Sequence, residues 1–337
     1  MKSRKKELEA RLFEAKGENF KPLEKREVEE FLSASAEGRQ RLFQYTDLEA
    51  VVGILKSREL RLSRGSDLND TKELGEHKER AKRTFVASFC RTENEFVAMW
   101  WLYGMHGKQT KSRIPVRVRF SGKALREAVE GQTRARIAGK KRFVHVKAPV
   151  WCDVIYQFSR GGKQGRTEDP SQCAIIFDGM VANGTRCKAF MDAIGEFPAY
   201  AKDGCWAYEE ETRLTVELAD EADAKGIRRI AIPIAGALAD IEVCVGPGEM
   251  ARKYCAAVEK RLKQEGFEIS GSKNNGDRFA VRTLIEKDAQ GREVETTQRV
   301  KIVDSRCAVR FAGKKKKRKK KAGGAKGGKG SGKRAAR

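Results

Sequence analysis

Histidine is scarce in this chain of 337 residues, with His77, His106 and His145 the only three. None has a Cys or Asp partner at a recognisable spacing, so a hydrolase triad or a zinc centre has little to build on. Eight cysteines (90, 152, 173, 187, 205, 244, 255 and 307) contain no C-x-x-C pair. That spacing excludes both a zinc ribbon and the dense disulfide framework of a small secreted domain, and reduced, mostly buried thiols are the expectation. No Walker-type loop or dinucleotide fingerprint occurs. No apolar run approaches the roughly 18 residues that span a bilayer. The opening Met1-Lys2-Ser3-Arg4-Lys5-Lys6 leads into Glu-rich sequence without the apolar core of a secretory signal. The expectation is a cytoplasmic protein with no membrane partner and no metal.

What the chain does have is positive charge. The formal net charge is +24. Thirteen Lys or Arg and no acid lie from Gly313 onward, which leaves +11 for the rest. Both parts favour a polyanionic partner, because each neutralised phosphate releases condensed counterion. Lys314, Lys315, Lys316, Lys317, Arg318, Lys319, Lys320 and Lys321 form the densest run and are the expected nucleic-acid contact. The same tail also reads as a solubility aid.

Strand and helix signals mix without strict βαβ alternation, which predicts an α+β fold with a mixed or antiparallel sheet core and surrounding helices. Residues 1–40 read as an N-terminal helical extension and 41–275 as the main domain. Residues 276–312 read as a C-terminal β-hairpin extension, and 313–337 as a disordered Lys/Gly-rich tail. Asp47 followed by Leu48, Val51, Val52 and Leu55 predicts a capped amphipathic helix over 47–58. Residues 114–120 alternate Val116, Val118 and Phe120 against Arg117 and Arg119, a strand with a basic outer face. Residues 159–172 read as a mobile loop with a helical segment after Pro170.

Two distant segments carry the candidate chemistry. Gln44, Tyr45 and Thr46 close a short strand just before a helix start, where polar side chains and free amides can meet a ligand. In Trp206–Leu214, read as one strand, Glu209, Glu211 and Arg213 would share a face. Paired carboxylates can bind ribose hydroxyls, stabilise an oxocarbenium ion or activate a nucleophile. An exposed strand start in which Arg213 pairs with a neighbouring Glu explains the same residues. Asp67, Asp70 and Glu73 offer a weak metal set, and Asp70-x-x-Glu73 is also an acidic capping box. Of Met99, Trp100, Trp101 and Tyr103, the reading turns Trp100 and Tyr103 inward, with at most one aromatic lining a cleft.

Several motifs in order resemble the bacterial family catalogued as domain of unknown function 2971. They are Phe43-Gln44-Tyr45-Thr46, Ile54-Leu55, Leu60-Arg61-Leu62-Ser63, Leu68-Asn69-Asp70-x-x-Glu73, Ala87-Ser88-Phe89, Met99-Trp100-x-x-Tyr103-Gly104 and Tyr208-Glu209-x-Glu211-x-Arg213-Leu214. The resemblance spans residues 41–272. A second likeness carries the chemistry. The first motif is similar to the His-x-Thr strand of ADP-ribosyltransferases, and the Glu-x-Glu segment to their catalytic glutamate motif. It implies NAD as substrate, held by Gln44, Tyr45, Thr46 and Tyr103, with Glu211 as the catalytic carboxylate and Glu209 assisting. Gln44 stands where both groups usually place His. The expected function is an NAD-dependent ADP-ribosyltransferase acting on nucleic acid, in phage defence or as a toxin. The alternative is a non-catalytic nucleic-acid-binding module with a degenerate nucleotide pocket.

Overall fold

Apolar residues on Arg41–Asp47 (β1) serve two layers, with Leu42 in the main core and Phe43 and Tyr45 in a smaller cluster. A strand presents successive side chains to opposite faces, so two covered faces need apolar residues at both parities. β1 runs straight into the helix Leu48–Ser57, where the Asp47 carboxylate accepts the Ala50 N–H at 2.9 Å. Leu48, Val51, Val52 and Leu55 bury its inner face. Arg58, with φ of 57°, turns the chain back into Glu59–Arg64 (β2). Thr84–Cys90 (β3) and Pro115–Ser121 (β4) follow. The computed structural model describes residues 2–14, 24–68, 78–104, 113–159, 173–194, 200–220, 224–247, 251–271, 278–287, 290 and 292–305. Asp70, Glu73, His77, His106, Cys307, the 160–172 segment and the Lys314–Lys321 run lie outside them.

The class is α+β. The larger sheet has thirteen strands. It runs from Glu268–Ser270 through Arg278–Lys287, Glu293–Asp304 and Asp240–Val245 to β4, β1, β3 and β2, then Arg229–Pro233, Arg134–Ile137 and Phe143–His145. Glu211–Glu217 pairs along β3 and carries Val150–Asp153 on its far side. All pairings are antiparallel except that between Asp240–Val245 and Glu293–Asp304. The C-terminal hairpin is thus part of the sheet rather than an appendage, and Ala280, Val300 and Ile302 sit in the main core.

A second sheet of four strands holds Met180–Asn183, Cys173–Phe177, Ile155–Ser159 and, in parallel, Ala201–Asp203. Cys173–Phe177 is a strand, which corrects the expectation of a helical segment after Pro170: five residues of mixed burial are too few to set a period. The N-terminal helices pack on this sheet: Leu8, Leu12, Phe31 and Leu32 join Ile175, Phe177 and Phe190 in one buried cluster. Cys173 and Cys187 form a disulfide between a strand of this sheet and the helix Gly184–Ile194. This corrects the expectation of reduced thiols throughout, because folding brings two residues 14 apart in sequence to a Cα separation of 6.0 Å. Asp153, fully buried, joins the layers: it accepts from Arg39 at 2.6 Å and from Thr212, while Arg39 also reaches Asp178.

Candidate functional site

The larger sheet is split. Glu211–Glu217 occupies one edge of β3 along its whole length. β1 and β2 must therefore share the other edge. Ser63 and Arg64 of β2 pair with Val86 and Phe85, while Phe43 of β1 pairs with Cys90. Between them Ala87, Ser88 and Phe89 pair with Glu211–Glu217 alone. A cleft of about 200 Å³ opens at this gap, lined by Ala87, Ser88 and Phe89 and by Phe43, Tyr45, Arg61, Ser63, Met99 and Tyr103. Glu209 and Glu211 close it. The helix Leu48–Ser57 joins β1 to β2.

The two glutamates converge by a route the sequence does not show. Gly204–Glu209 is a 3-10 helix, and the strand begins only at Glu211. Glu210 between them has φ of 41°, a left-handed conformation that costs a non-glycine residue about 1–2 kcal/mol. This kink replaces strand alternation as the reason Glu209 and Glu211 face the same space. Both are buried, at 3% exposure.

Lys202, from the Ala201–Asp203 strand of the second sheet, lies between them. Its ammonium donates to Glu209 Oε2 at 2.6 Å and to Glu211 Oε2 at 3.4 Å, and sits 4.8 Å from the Trp206 ring centre. Arg213 grips Glu211 from the other side, donating from Nε to Oε1 at 2.8 Å and from Nη2 to Oε2 at 2.9 Å. The Tyr103 hydroxyl donates to Glu209 Oε1 at 2.6 Å. The Glu211 backbone is fixed as well: its N–H donates to the Tyr156 hydroxyl at 2.7 Å, and its carbonyl accepts from Arg91 at 2.9 Å. Arg213 does pair with a neighbouring Glu, but in a fully buried fork rather than at an exposed strand start.

These surroundings push the two carboxyls apart. Burial raises Glu211, but Arg213 first and Lys202 next outweigh it and bring the group down to about 2. At Glu209 burial dominates, and with the negative charge of Glu211 added it prevails over Lys202, so this carboxyl is raised. Burial and then Glu209 hold the Tyr103 phenol well above its ordinary value. Two acids with opposed shifts in one cleft can divide labour: one stays an anion while the other exchanges a proton.

The sequence-selected residues fall unevenly. Tyr103, Tyr45, Glu209 and Glu211 line the cleft. Gln44 borders it too, but strand alternation puts its side chain on the face of Leu42, opposite Phe43 and Tyr45. Thr46 shares that parity, lies outside the lining and pairs with Val116. The polar motif is therefore out of phase with the carboxylates, and aromatic Phe43 and Tyr45 take the position expected of Gln44 and Thr46. Trp100 is buried, edge-on to Tyr45 at 5.0 Å. Arg117 is no outer-face residue either: it is buried, with its guanidinium 4.5 Å from the Phe43 ring centre. Asp67 serves Arg64 and Arg228 at 2.9 and 3.1 Å.

No family model, curated protein or solved structure matches this chain. The site rests on its own geometry. Lys202 carries no motif and stands in a three-residue strand; Tyr156 lies in Ile155–Ser159, and Arg61 belongs to Leu60-Arg61-Leu62-Ser63 without a pattern that marks either as part of a site. Among the described residues no group of three His, Cys, Asp or Glu converges on a metal-sized space.

Proposed function

We propose that this protein makes or breaks the N-glycosidic bond of a ribonucleotide, with NAD the candidate ribosyl donor and nucleic acid the candidate acceptor. The observation that carries this reading is the pair Glu209 and Glu211, buried in one cleft with their proton affinities driven in opposite directions. Heterolysis of a ribosyl C1′–N bond sends the bonding electrons to the departing base and leaves an oxocarbenium ion. A fixed anion stabilises that cation, and a second carboxyl relays the proton of the attacking hydroxyl. Glu211, held ionised by Arg213 and Lys202, suits the first role. Glu209, reachable from the cleft and bonded to Tyr103, suits the second. This reverses the weighting that the resemblance implies, because both Glu211 oxygens are already committed to cations. Phe43, Tyr45, Met99 and Tyr103 offer flat or soft apolar walls for a heterocycle. The +24 charge supports a polyanionic acceptor.

The test is to incubate the full chain with NAD labelled in either half, with and without DNA or RNA. Nicotinamide release or label transfer that falls at least about a hundredfold in Glu209→Gln, the range expected on removing a general acid or base, supports the reading. No turnover together with retained polyanion binding favours the non-catalytic nucleic-acid-binding module.

A further inference from the structure

Among the described residues, the charges around the cleft are matched, with one exception. Lys202 and Arg213 answer Glu209 and Glu211. Arg117, behind the Phe43 ring, lies 3.7 Å from Glu95, and Arg91 lies 3.0 Å from Asp178. Arg61 is exposed and lines the cleft, and its side chain has no ion pair or hydrogen bond among the described residues. Ser63, two residues along β2, shares its face and lines the same cleft. The β2–β3 ladder covers only Ser63↔Val86 and Arg64↔Phe85, so the strands part toward Arg61 and Ser88. The Arg61 guanidinium stands where the cleft opens.

We infer that Arg61, with the Ser63 hydroxyl beside it, is an anion subsite that takes the phosphate of a singly phosphorylated nucleoside unit seated in the cleft. This rests on the reading above that the cleft accepts a nucleotide. Three considerations select that ligand. Glu209 and Glu211 are each answered by a cation, so Arg61 is the charge in the lining that lacks a counterion among the described residues, and an anionic group on the ligand supplies it. A guanidinium fork and a hydroxyl match the geometry and acceptor chemistry of phosphate oxygens better than those of a neutral group. A cleft of about 200 Å³ also falls below the roughly 300–1,000 Å³ of sites that enclose larger ligands, so one heterocycle or sugar fits inside while the phosphate stays at the mouth. A free mononucleotide offers a phosphomonoester, close to a dianion at pH 7, and a nucleotide within a strand a singly charged phosphodiester; both present phosphate oxygens to the guanidinium and hydroxyl.

The test is calorimetry on the full chain with the four ribonucleoside monophosphates, the matching nucleosides and a trinucleotide. Wild type, Arg61→Ala and Arg61→Lys are compared, with thermal melts confirming that each is folded. The expected result is at least a tenfold preference for one monophosphate over its nucleoside, abolished in Arg61→Ala and partly kept in Arg61→Lys. Tighter binding of the trinucleotide assigns the phosphate to a strand, and tighter binding of the mononucleotide to a free ligand, each provided that Arg61→Ala removes the preference. Equal affinity for nucleoside and monophosphate overturns the subsite, as does a preference that survives Arg61→Ala, or no binding of any phosphorylated probe. Phosphate-dependent binding through Arg61 without nicotinamide release would sink the transferase reading and leave the subsite standing.

Discussion

Lys202 donates to Glu209 at 2.6 Å from a strand of the smaller sheet, while Glu209 hangs from the turn that enters the larger one. The candidate site is therefore complete only where the two sheets meet. Glu211 obeys the same rule, since its N–H bonds Tyr156 of the smaller sheet. Removing Lys202 leaves a buried carboxylate without its nearest cation. Lys202→Met is expected to cost about 3–5 kcal/mol of stability and to raise the Glu209 carboxyl further. Lys202→Arg, which keeps the charge, should recover much of both. Urea unfolding measures the first effect and carboxyl titration the second.

Glu211 and Glu209 should respond differently to the same substitution. Glu211 lies near about 2 in the folded protein, against an ordinary value of about 4.3. Its contribution to stability is in place above the ordinary value and is lost as pH falls toward 2. Glu209 is raised, so its ionised form opposes folding above the ordinary range. At pH 7 Glu211→Gln should therefore destabilise strongly, by about 3–5 kcal/mol, because Arg213 and Lys202 lose their anion. Glu209→Gln should cost clearly less. Urea midpoints at pH 7 and pH 4 decide it, and equal losses at pH 7 contradict the division.

The Cys173–Cys187 bond closes a short loop across the smaller sheet. A loop of about 15 residues contributes about 3 kcal/mol in the chain-entropy model. Replacing both residues with Ala should lower stability by about 2–4 kcal/mol. Reductant should lower the wild type similarly and leave the double variant unchanged. Non-reducing peptide mapping checks the pairing, and two free thiols there would refute it.

Polyanion affinity should depend on the basic tail. Deleting residues 313–337 removes thirteen positive charges. Binding to a generic duplex should weaken, and the slope of log affinity against log salt should shrink by about 0.9 for each phosphate that the tail no longer neutralises. The melting temperature should not move. An unchanged slope would show that the body alone holds the polyanion.

The sequence discloses the local pieces of this fold better than their assembly. Asp47 and its apolar spacing announce the helix Leu48–Ser57, a run of β-forming residues announces β3, and alternating apolar residues announce β4. Local hydrogen bonds and period fix those elements, so they are readable from neighbours in the chain. Three strands of the smaller sheet, Cys173–Phe177, Met180–Asn183 and Ala201–Asp203, escape notice because they have three to five residues, too few for a periodicity to emerge. The phase of Gln44 and Thr46 escapes for another reason. A strand buried on both faces has apolar residues at both parities, so pattern alone cannot tell which face meets the carboxylates. The pairing Phe43↔Cys90 settles it, and pairing is a property of the sheet. The convergence of Glu209 and Glu211 depends likewise on the left-handed Glu210, which glycine would have signalled and glutamate does not.

The most direct test of the division of labour between the two carboxylates needs no substrate. Carbon-13 NMR of carboxyl-labelled glutamate, followed from pH 2 to pH 8 with Glu209→Gln to assign the signals, reads both groups in the folded protein. Glu209 is expected to titrate above the ordinary glutamate range while Glu211 stays ionised almost to pH 2. Two signals titrating together near the ordinary value would contradict that division, and the cleft would then hold no distinct acid and anion.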